Sequence, residues 1–212
     1  LATLTTGENL DEGAAIDYDE VAYAVEDEPL LTARENAVDL GGTVPIAPAA
    51  GAALRFLASA IGARAVVEIG TGCGSSGIWL LRGMRPGGVL TSVDTEPEYH
   101  RLARKTFARA GFAANQARLI LGRGFDVLPR LSDGAYDLVF FDADQAAYPD
   151  YLAAGLRLLR AGGIVVFNDA LPPGAGPAGD GARELADTVG NDERLVPLLL
   201  PIAGGMLAAI KK

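Results

Sequence analysis

Val66-Val67-Glu68-Ile69-Gly70-Thr71-Gly72-Cys73-Gly74-Ser75-Ser76 runs an apolar strand straight into glycines at alternate positions and then into the start of a helix. A short apolar run ending at such a turn reads as a strand buried on both faces. Gly70 and Gly72 carry no side chain where one would collide with a bound group, so the backbone is free to approach a ligand. The spacing also separates ligand classes. A dinucleotide fingerprint, Gly-x-Gly-x-x-Gly, would set its third glycine where Ser75 stands, whereas here it falls one place early, at Gly74.

Outward from this segment, short apolar runs alternate with helical stretches: Ala65–Ile69, Gly77–Met84, Val89–Val93, Pro97–Ala110, Arg118–Leu121, Phe125–Leu131, Asp137–Phe141, Pro149–Leu159 and Gly163–Phe167. That alternation is the pattern of βαβ units, a parallel sheet covered by helices on both faces. Arg194–Leu200 and Met206–Ile210 then flank the turn Pro201–Gly205 with no helix between them, which predicts a hairpin and an antiparallel last strand. Within Pro97–Ala110, Tyr99, Leu102, Ala103, Phe107 and Ala110 form the predicted buried stripe, and Gly111 the stop. His100, Arg101, Arg104, Lys105 and Arg109 form its solvated face.

Pro48 opens a further helix through Ile61, with Leu54, Leu57, Ala58 and Ile61 inward and Gly62 closing it. Ahead of it, Val21, Ala22 and Val25, then Leu30, Leu31 and Ala37, give apolar stripes amid acids and predict short helices with no core of their own. Leu171–Gly181, dense in glycine and proline, predicts a loop over or beside the site. The expected organisation is a single α/β domain over residues 1–212. An N-terminal helical cap, residues 1–42, sits on a Rossmann-like, doubly wound core, residues 43–212, whose seven-stranded sheet is mostly parallel and ends in an antiparallel hairpin.

Composition narrows the function. A chain of 212 residues, half of them hydrophobic, fills one substantial core and is short for two. Its net charge of −9 and the absence of any Lys/Arg run argue against a nucleic-acid partner, because neutralising phosphates takes a basic face. The single cysteine, Cys73, excludes an internal disulfide and fits a reducing, cytoplasmic setting. With the only histidine, His100, elsewhere, Cys73 reads as a small packing residue rather than a nucleophile. No run reaches the roughly 20 apolar residues of a membrane span. Leu195–Ile210 comes nearest and is broken by Pro197, Pro201, Gly204 and Gly205, so no membrane partner is expected. The acidic start, with Glu8, Asp11, Glu12 and Asp17, lacks the basic-then-apolar layout of a secretory signal.

Glu68-x-Gly70-x-Gly72-x-Gly74 resembles the S-adenosylmethionine loop of class I methyltransferases, which wraps the methionine end of that cofactor. In that family a second acid ends the next strand and holds the ribose hydroxyls. Asp94 stands there, where the general α/β argument also expects it. The resemblance implies a cofactor site of Glu68, Gly70, Thr71, Gly72, Ser75, Ser76, Asp94 and Thr95.

Two polar clusters follow later strands: Asp142-Ala143-Asp144-Gln145 and Asn168-Asp169. In an open α/β sheet ligands bind beyond the carboxyl ends of the strands, so both clusters should face the crevice of Gly70–Gly74 and Asp94. Their oxygens suit a hard divalent cation such as Mg²⁺. With Tyr148, Tyr151, the Leu158-Leu159-Arg160-Ala161-Gly162-Gly163 helix exit and the closing hairpin, the chain from about Thr43 onward is similar to the cation-dependent small-molecule O-methyltransferases of the catechol and caffeoyl-CoA type.

That resemblance implies Asp142, Asn168 and Asp169 as metal ligands. It further implies cofactor contacts at Val44, Gly122, Arg123 and Asp142, a small hydroxylated and aromatic acceptor, and a homodimer. Three departures stand out. Gln145 replaces the family's usual lysine and cannot act as a base. Asn168-Asp169 reverses the usual order, which in an extended strand turns the carboxylate to the other side unless the strand end shifts. Arg123 stands where the family often has an acid. Asp142, Asp144 and Gln145 are the catalytic candidates, with Asp144 the base if no metal binds; its alternative role is a helix cap. Tyr148 and Tyr151 read first as packing residues. A metal-independent methyltransferase, a non-catalytic cofactor-binding module and a nicotinamide oxidoreductase are the competing readings.

Overall fold

The computed structural model describes residues 24–171 and 177–212. The expected helix around Val21 and Ala22 lies outside the described residues. Its elements run α1 (Glu28–Leu40), α2 (Pro48–Ala60), β1 (Ala65–Ile69), α3 (Ser75–Gly83), β2 (Val89–Asp94), α4 (Pro97–Arg109), β3 (Ala117–Leu121) and α5 (Gly124–Val127). They continue with β4 (Tyr136–Phe141), α6 (Tyr148–Leu158), β5 (Leu159–Phe167), α7 (Pro177–Asn191), β6 (Leu195–Leu200) and β7 (Met206–Lys211). The seven strands form one sheet in the order β3-β2-β1-β4-β5-β7-β6, with β1 to β5 parallel and β7 antiparallel to both its neighbours. Strand order reverses between β1 and β4, and the crevice above their carboxyl ends is where such a sheet takes its ligand.

Strand alternation builds the two layers. Val66 faces a core with Leu54, Trp79, Leu80 and Phe107 of α2, α3 and α4, while its neighbour Val67 faces Val127, Tyr151, Leu152 and Leu185 of α5, α6 and α7. Both faces are covered, which is why β1, β2, β4 and β5 read as apolar runs without alternation. Prolines set the helix starts: Pro29, Pro48 and Pro97 occupy first-turn positions, where the missing N–H costs nothing.

Several expectations change. Pro177–Gly181, expected as loop, is the first turn and a half of α7, and residues 172–176 lie outside the described residues. The helix forms because Ala182, Leu185 and Val189 recur on one face and are buried, which outweighs the poor helix propensity of its glycines. Val25 and Leu31 are exposed, whereas Leu30 and Ala37 are buried as expected and Ala33 joins them. His100 is buried, not solvated: with Ala103 and Phe107 it forms the i, i+3, i+7 row that α4 turns inward, and Tyr99, Leu102 and Ala110 are only half-buried. Arg101, Arg104, Lys105 and Arg109 are exposed as expected. β5 starts at Leu159, four residues before the expected Gly163, and its register against β4 shifts between Tyr136 and Leu138.

Candidate active site

The loop after β1 is held by its own chain. Gly70, Gly72 and Gly74 have φ of +102°, +48° and +96°, a region that L side chains rarely occupy. A Cβ on Gly70 would overlap the Asp142 carbonyl oxygen, and one on Gly74 would lie 3.1 Å from the Phe107 ring and 3.2 Å from Ala103 Cα. Backbone geometry at all three glycines, with crowding from Asp142 at Gly70 and from α4 at Gly74, adds a requirement of the fold to the expected clearance for a ligand. Gly70 N–H donates to Val93 O at 2.9 Å, Asp142 N–H to Ile69 O at 2.9 Å, and Gly72 N–H to Asp94 Oδ2 at 3.0 Å. Asp94 Oδ1 also accepts the Glu96 N–H at 3.1 Å.

Glu68 braces this loop from below. Its side chain is fully buried and accepts hydrogen bonds from Ser76 Oγ at 2.5 Å and Ser92 Oγ at 2.6 Å, and Ser92 Oγ lies 2.6 Å from Thr71 Oγ1. Burial outweighs the two hydroxyl bonds and pushes its carboxyl up to about 8. Glu68 does not line the cavity; it connects to it through Ser76 and, by way of Ser92, through Thr71.

A cavity of about 270 Å³ opens above the loop. Of the cofactor-site candidates, Val44, Gly70, Thr71, Gly72, Ser75, Ser76, Asp94 and Asp142 line it, and Asp169 joins them. Glu68, Thr95, Gly122 and Arg123 do not; Thr95 and Arg123 are exposed. Lining residues that sequence reasoning missed are Ala33 and Ala37 of α1, Gly42, Thr43, Pro45 and Ile46 of the α1–α2 connection, and Cys73. The family resemblance places Val44 of that connection at the cofactor, and its neighbours are marked in sequence only by the GGTVP punctuation. It folds over the loop because Gly42 clears the Tyr99 hydroxyl and Gly72 clears Thr43.

Among the described residues Ser75 Oγ is buried with no hydrogen-bond partner, and it lies at the N-terminus of α3, where unpaired N–H groups and the helix dipole favour a carboxylate. That orphaned hydroxyl, the Asp94 carboxylate and the bare loop fit an amino-acid nucleoside, with a carboxylate at one end and sugar hydroxyls at the other. His100 Nε2 is likewise buried without a partner, and burial lowers its pKa, which leaves it a neutral core side chain.

The far wall is built from the ends of β4 and β5. Asn168 Nδ2 donates to Asp142 Oδ1 at 3.1 Å and to Asp169 Oδ2 at 3.3 Å, joining both acids. Tyr148, fully buried, fixes the Asn168 backbone by donating its hydroxyl to Asn168 O at 2.7 Å. Tyr151 stacks between Phe125 and Phe141 with centroids 4.3 and 4.9 Å away, so both tyrosines pack as expected. Desolvation raises Asp142 to about 6, helped by the nearby Asp169, whose own carboxyl burial also raises. Asp144 is exposed and caps the 3-10 turn Gln145–Ala147 by accepting the Ala146 N–H at 3.1 Å. Neither Asp144 nor the half-buried Gln145 lines the cavity.

Among the described residues no group of three His, Cys, Asp or Glu side chains could hold a metal ion. The oxygen donors available are two carboxylates, Asp142 and Asp169, and the carboxamide of Asn168. No described helix is long and apolar enough to cross a membrane.

The family model described as O-methyltransferase matches residues 22–212. A Mycobacterium tuberculosis protein named as a probable O-methyltransferase is 50% identical over 195 residues, covering 88% of this chain and 86% of its own. The O-methyltransferase TomG of Streptomyces achromogenes, involved in tomaymycin synthesis and solved in complex with S-adenosylmethionine, superposes with a TM-score of 0.83 at 26% identity, covering 92% of this chain and 94% of its own. An O-methyltransferase from Bacillus cereus, solved with S-adenosylhomocysteine, shares the fold at a TM-score of 0.83 and 24% identity, covering 94% of this chain and 98% of its own.

Proposed function

The chain belongs to the O-methyltransferase family and is an S-adenosylmethionine-dependent O-methyltransferase, and from that premise we propose that it methylates a hydroxyl of a small aromatic acceptor at the Asp142, Asn168 and Asp169 end of the cavity. One observation carries this reading: the glycine loop with Asp94 and the two carboxylates of the far wall line a single cavity. S-adenosylmethionine supplies a sulfonium methyl, the new oxygen–carbon bond forming as the sulfur–carbon bond breaks and sulfur keeps the electron pair. The protein's part is to align and to deprotonate.

Ser75 and the α3 N-terminus take the carboxylate of the methionine end, Asp94 the ribose hydroxyls, and Val44 closes the cavity from above. Thr95, Gly122 and Arg123 border the same strand ends and would meet the nucleoside only at its rim. Without a cation, Asp142, beside Asp169, receives the hydroxyl's proton; a carboxyl raised to about 6 is better matched to neutral pH than an ordinary one. Asp144 is already committed to a cap, and Gln145 has no titratable group, so both are assigned to the rim. Asp142 and Asp169 suit a hard cation, and Asn168 would join them as a ligand only with its carboxamide turned over, since its Nδ2 faces both acids. Mg²⁺, when bound, lowers the pKa of an acceptor hydroxyl.

A single domain of cap and core, cytoplasmic and paired as a homodimer, completes the proposal. Its test is methyl transfer to a panel of catechols and other phenols, followed by mass spectrometry with Mg²⁺ and with chelator, beside calorimetry with S-adenosylhomocysteine. We expect a methylated phenol and a product yield that falls on chelation. Tight homocysteine-nucleoside binding without transfer to any phenol would overturn the acceptor, and full yield under chelator would overturn the cation.

A further inference from the structure

Among the described residues, the non-glycine positions with positive φ are Asp169 at +47° and Ala203 at +49°. They stand on opposite sides of one contact. Beyond the end of β5, Ala170 N–H donates to Gly205 O at 2.8 Å and Leu171 N–H to Gly204 O at 2.9 Å, so the β6–β7 turn runs alongside the segment that carries Asp169. The Gly204 backbone amide lies near the Asp169 carboxylate and opposes the upward push of burial on its pKa. Non-glycine residues keep a left-handed backbone only where their surroundings over-determine it, and such residues cluster at functional sites.

Gly204 shows what the contact is for. Its φ lies outside the left-handed region, so its backbone does not require glycine. The requirement is spatial: a Cβ there would overlap Asp169 Oδ1. The left-handed turn at Asp169 also compensates for the reversed Asn168-Asp169 order, because the carboxylate lines the same cavity as Asp142.

We infer that Gly204, in the β6–β7 turn, is a positioning residue that holds the Asp169 carboxylate toward the acceptor, with the strained Ala203 fixing the turn that presents it. This rests on the proposed role of Asp169, and the test separates the two. Gly204→Ala, Asp169→Ala and the double variant are compared for kcat, for S-adenosylhomocysteine affinity by calorimetry, and for exchange of the Ala170 and Leu171 amides. With Gly204→Ala we expect kcat to fall at least tenfold, nucleoside affinity to stay within twofold, and both amides to exchange faster. In the Asp169→Ala background the same change should cost nothing further in kcat.

Wild-type kcat in Gly204→Ala beside a defective Asp169→Ala would overturn the inference and leave the acceptor site standing. An equal loss in both backgrounds would overturn it too, since the turn would then act without Asp169. Unchanged kcat in Asp169→Ala would sink the acceptor role and this inference together. Ala203→Val, whose β-branched side chain disfavours the left-handed backbone at that position, covers a failure of Gly204→Ala to fold: a threefold or larger fall in kcat at unchanged nucleoside affinity supports positioning by the turn, and wild-type kcat refutes it.

Discussion

The two ends of the cavity are built in different ways. At the cofactor end, Glu68, Gly70, Thr71, Gly72, Ser76, Ser92, Val93 and Asp94 come from one continuous strand-loop-helix-strand stretch and are joined by hydrogen bonds of 2.5–3.0 Å. At the acceptor end, Asp142, Asn168 and Asp169 come from two strand ends and meet at 3.1–3.3 Å, with Asp169 and the turn behind it in left-handed backbone. A contiguous, closely bonded loop needs only local folding to form. An end assembled from distant segments depends on how the sheet edge packs, so single changes there should alter chemistry before they alter cofactor binding.

Gly70→Ala should abolish the contrast, because Gly70 is the joint between the ends. Its positive φ and the overlap of a Cβ with Asp142 O predict a loss of about 3 kcal/mol or more in urea unfolding, with cofactor affinity and turnover lost together. Asp142→Asn should sharpen it: kcat falls roughly 10²–10³-fold, the range for losing a positioned base, while S-adenosylhomocysteine affinity stays within about threefold. Comparable losses in both would mean that the ends are not separable. Asp94→Ala gives the converse, weakening nucleoside binding about 10–100-fold by calorimetry, in keeping with lost hydrogen bonds to a charged group, while kcat at saturating cofactor changes less.

Smallest in effect is the pH dependence set by Glu68. Its folded carboxyl is raised to about 8 from an ordinary 4.5, so the folded protein keeps a proton that the unfolded chain has released. Stability should therefore fall as pH rises from about 4.5 to about 8 and level off above. Glu68→Gln can still pair with Ser76 and Ser92, and it should flatten that slope and gain about 1–2 kcal/mol at pH 8 but little at pH 5. A slope unchanged by the substitution, in thermal melts across that range, would show that Glu68 is ionised when buried.

Much of this was legible from residues alone, for reasons that differ by element. β1, β2, β4 and β5 stand out because burial on both faces leaves unbroken apolar runs, and Asp94 is found by its place after the second of them. α7 was hidden because Gly-Pro-rich sequence reads as loop when its apolar face, Ala182, Leu185 and Val189, is not weighed against it. His100 is hard to place from sequence because its polarity argues outward, whereas its spacing from Ala103 and Phe107 puts it in the buried row. Asp144 was legible in both of its roles, and only the hydrogen bond to Ala146 N–H selected the cap.

By itself, then, the sequence determined the sheet, the glycine loop and the place of Asp94 after the next strand, because these follow from local periodicity, turn chemistry and spacing within about one βαβ unit. Tertiary structure alone decided that the fold itself also requires the glycines, that the α1–α2 connection roofs the cavity, and that Asn168-Asp169 presents its carboxylate inward. Each of those depends on a segment far away in the chain, Asp142 beneath Gly70, Tyr99 beneath Gly42 and Gly204 against Asp169. Close approach between distant backbones leaves no periodic trace in sequence; it shows only as a residue small enough to permit it.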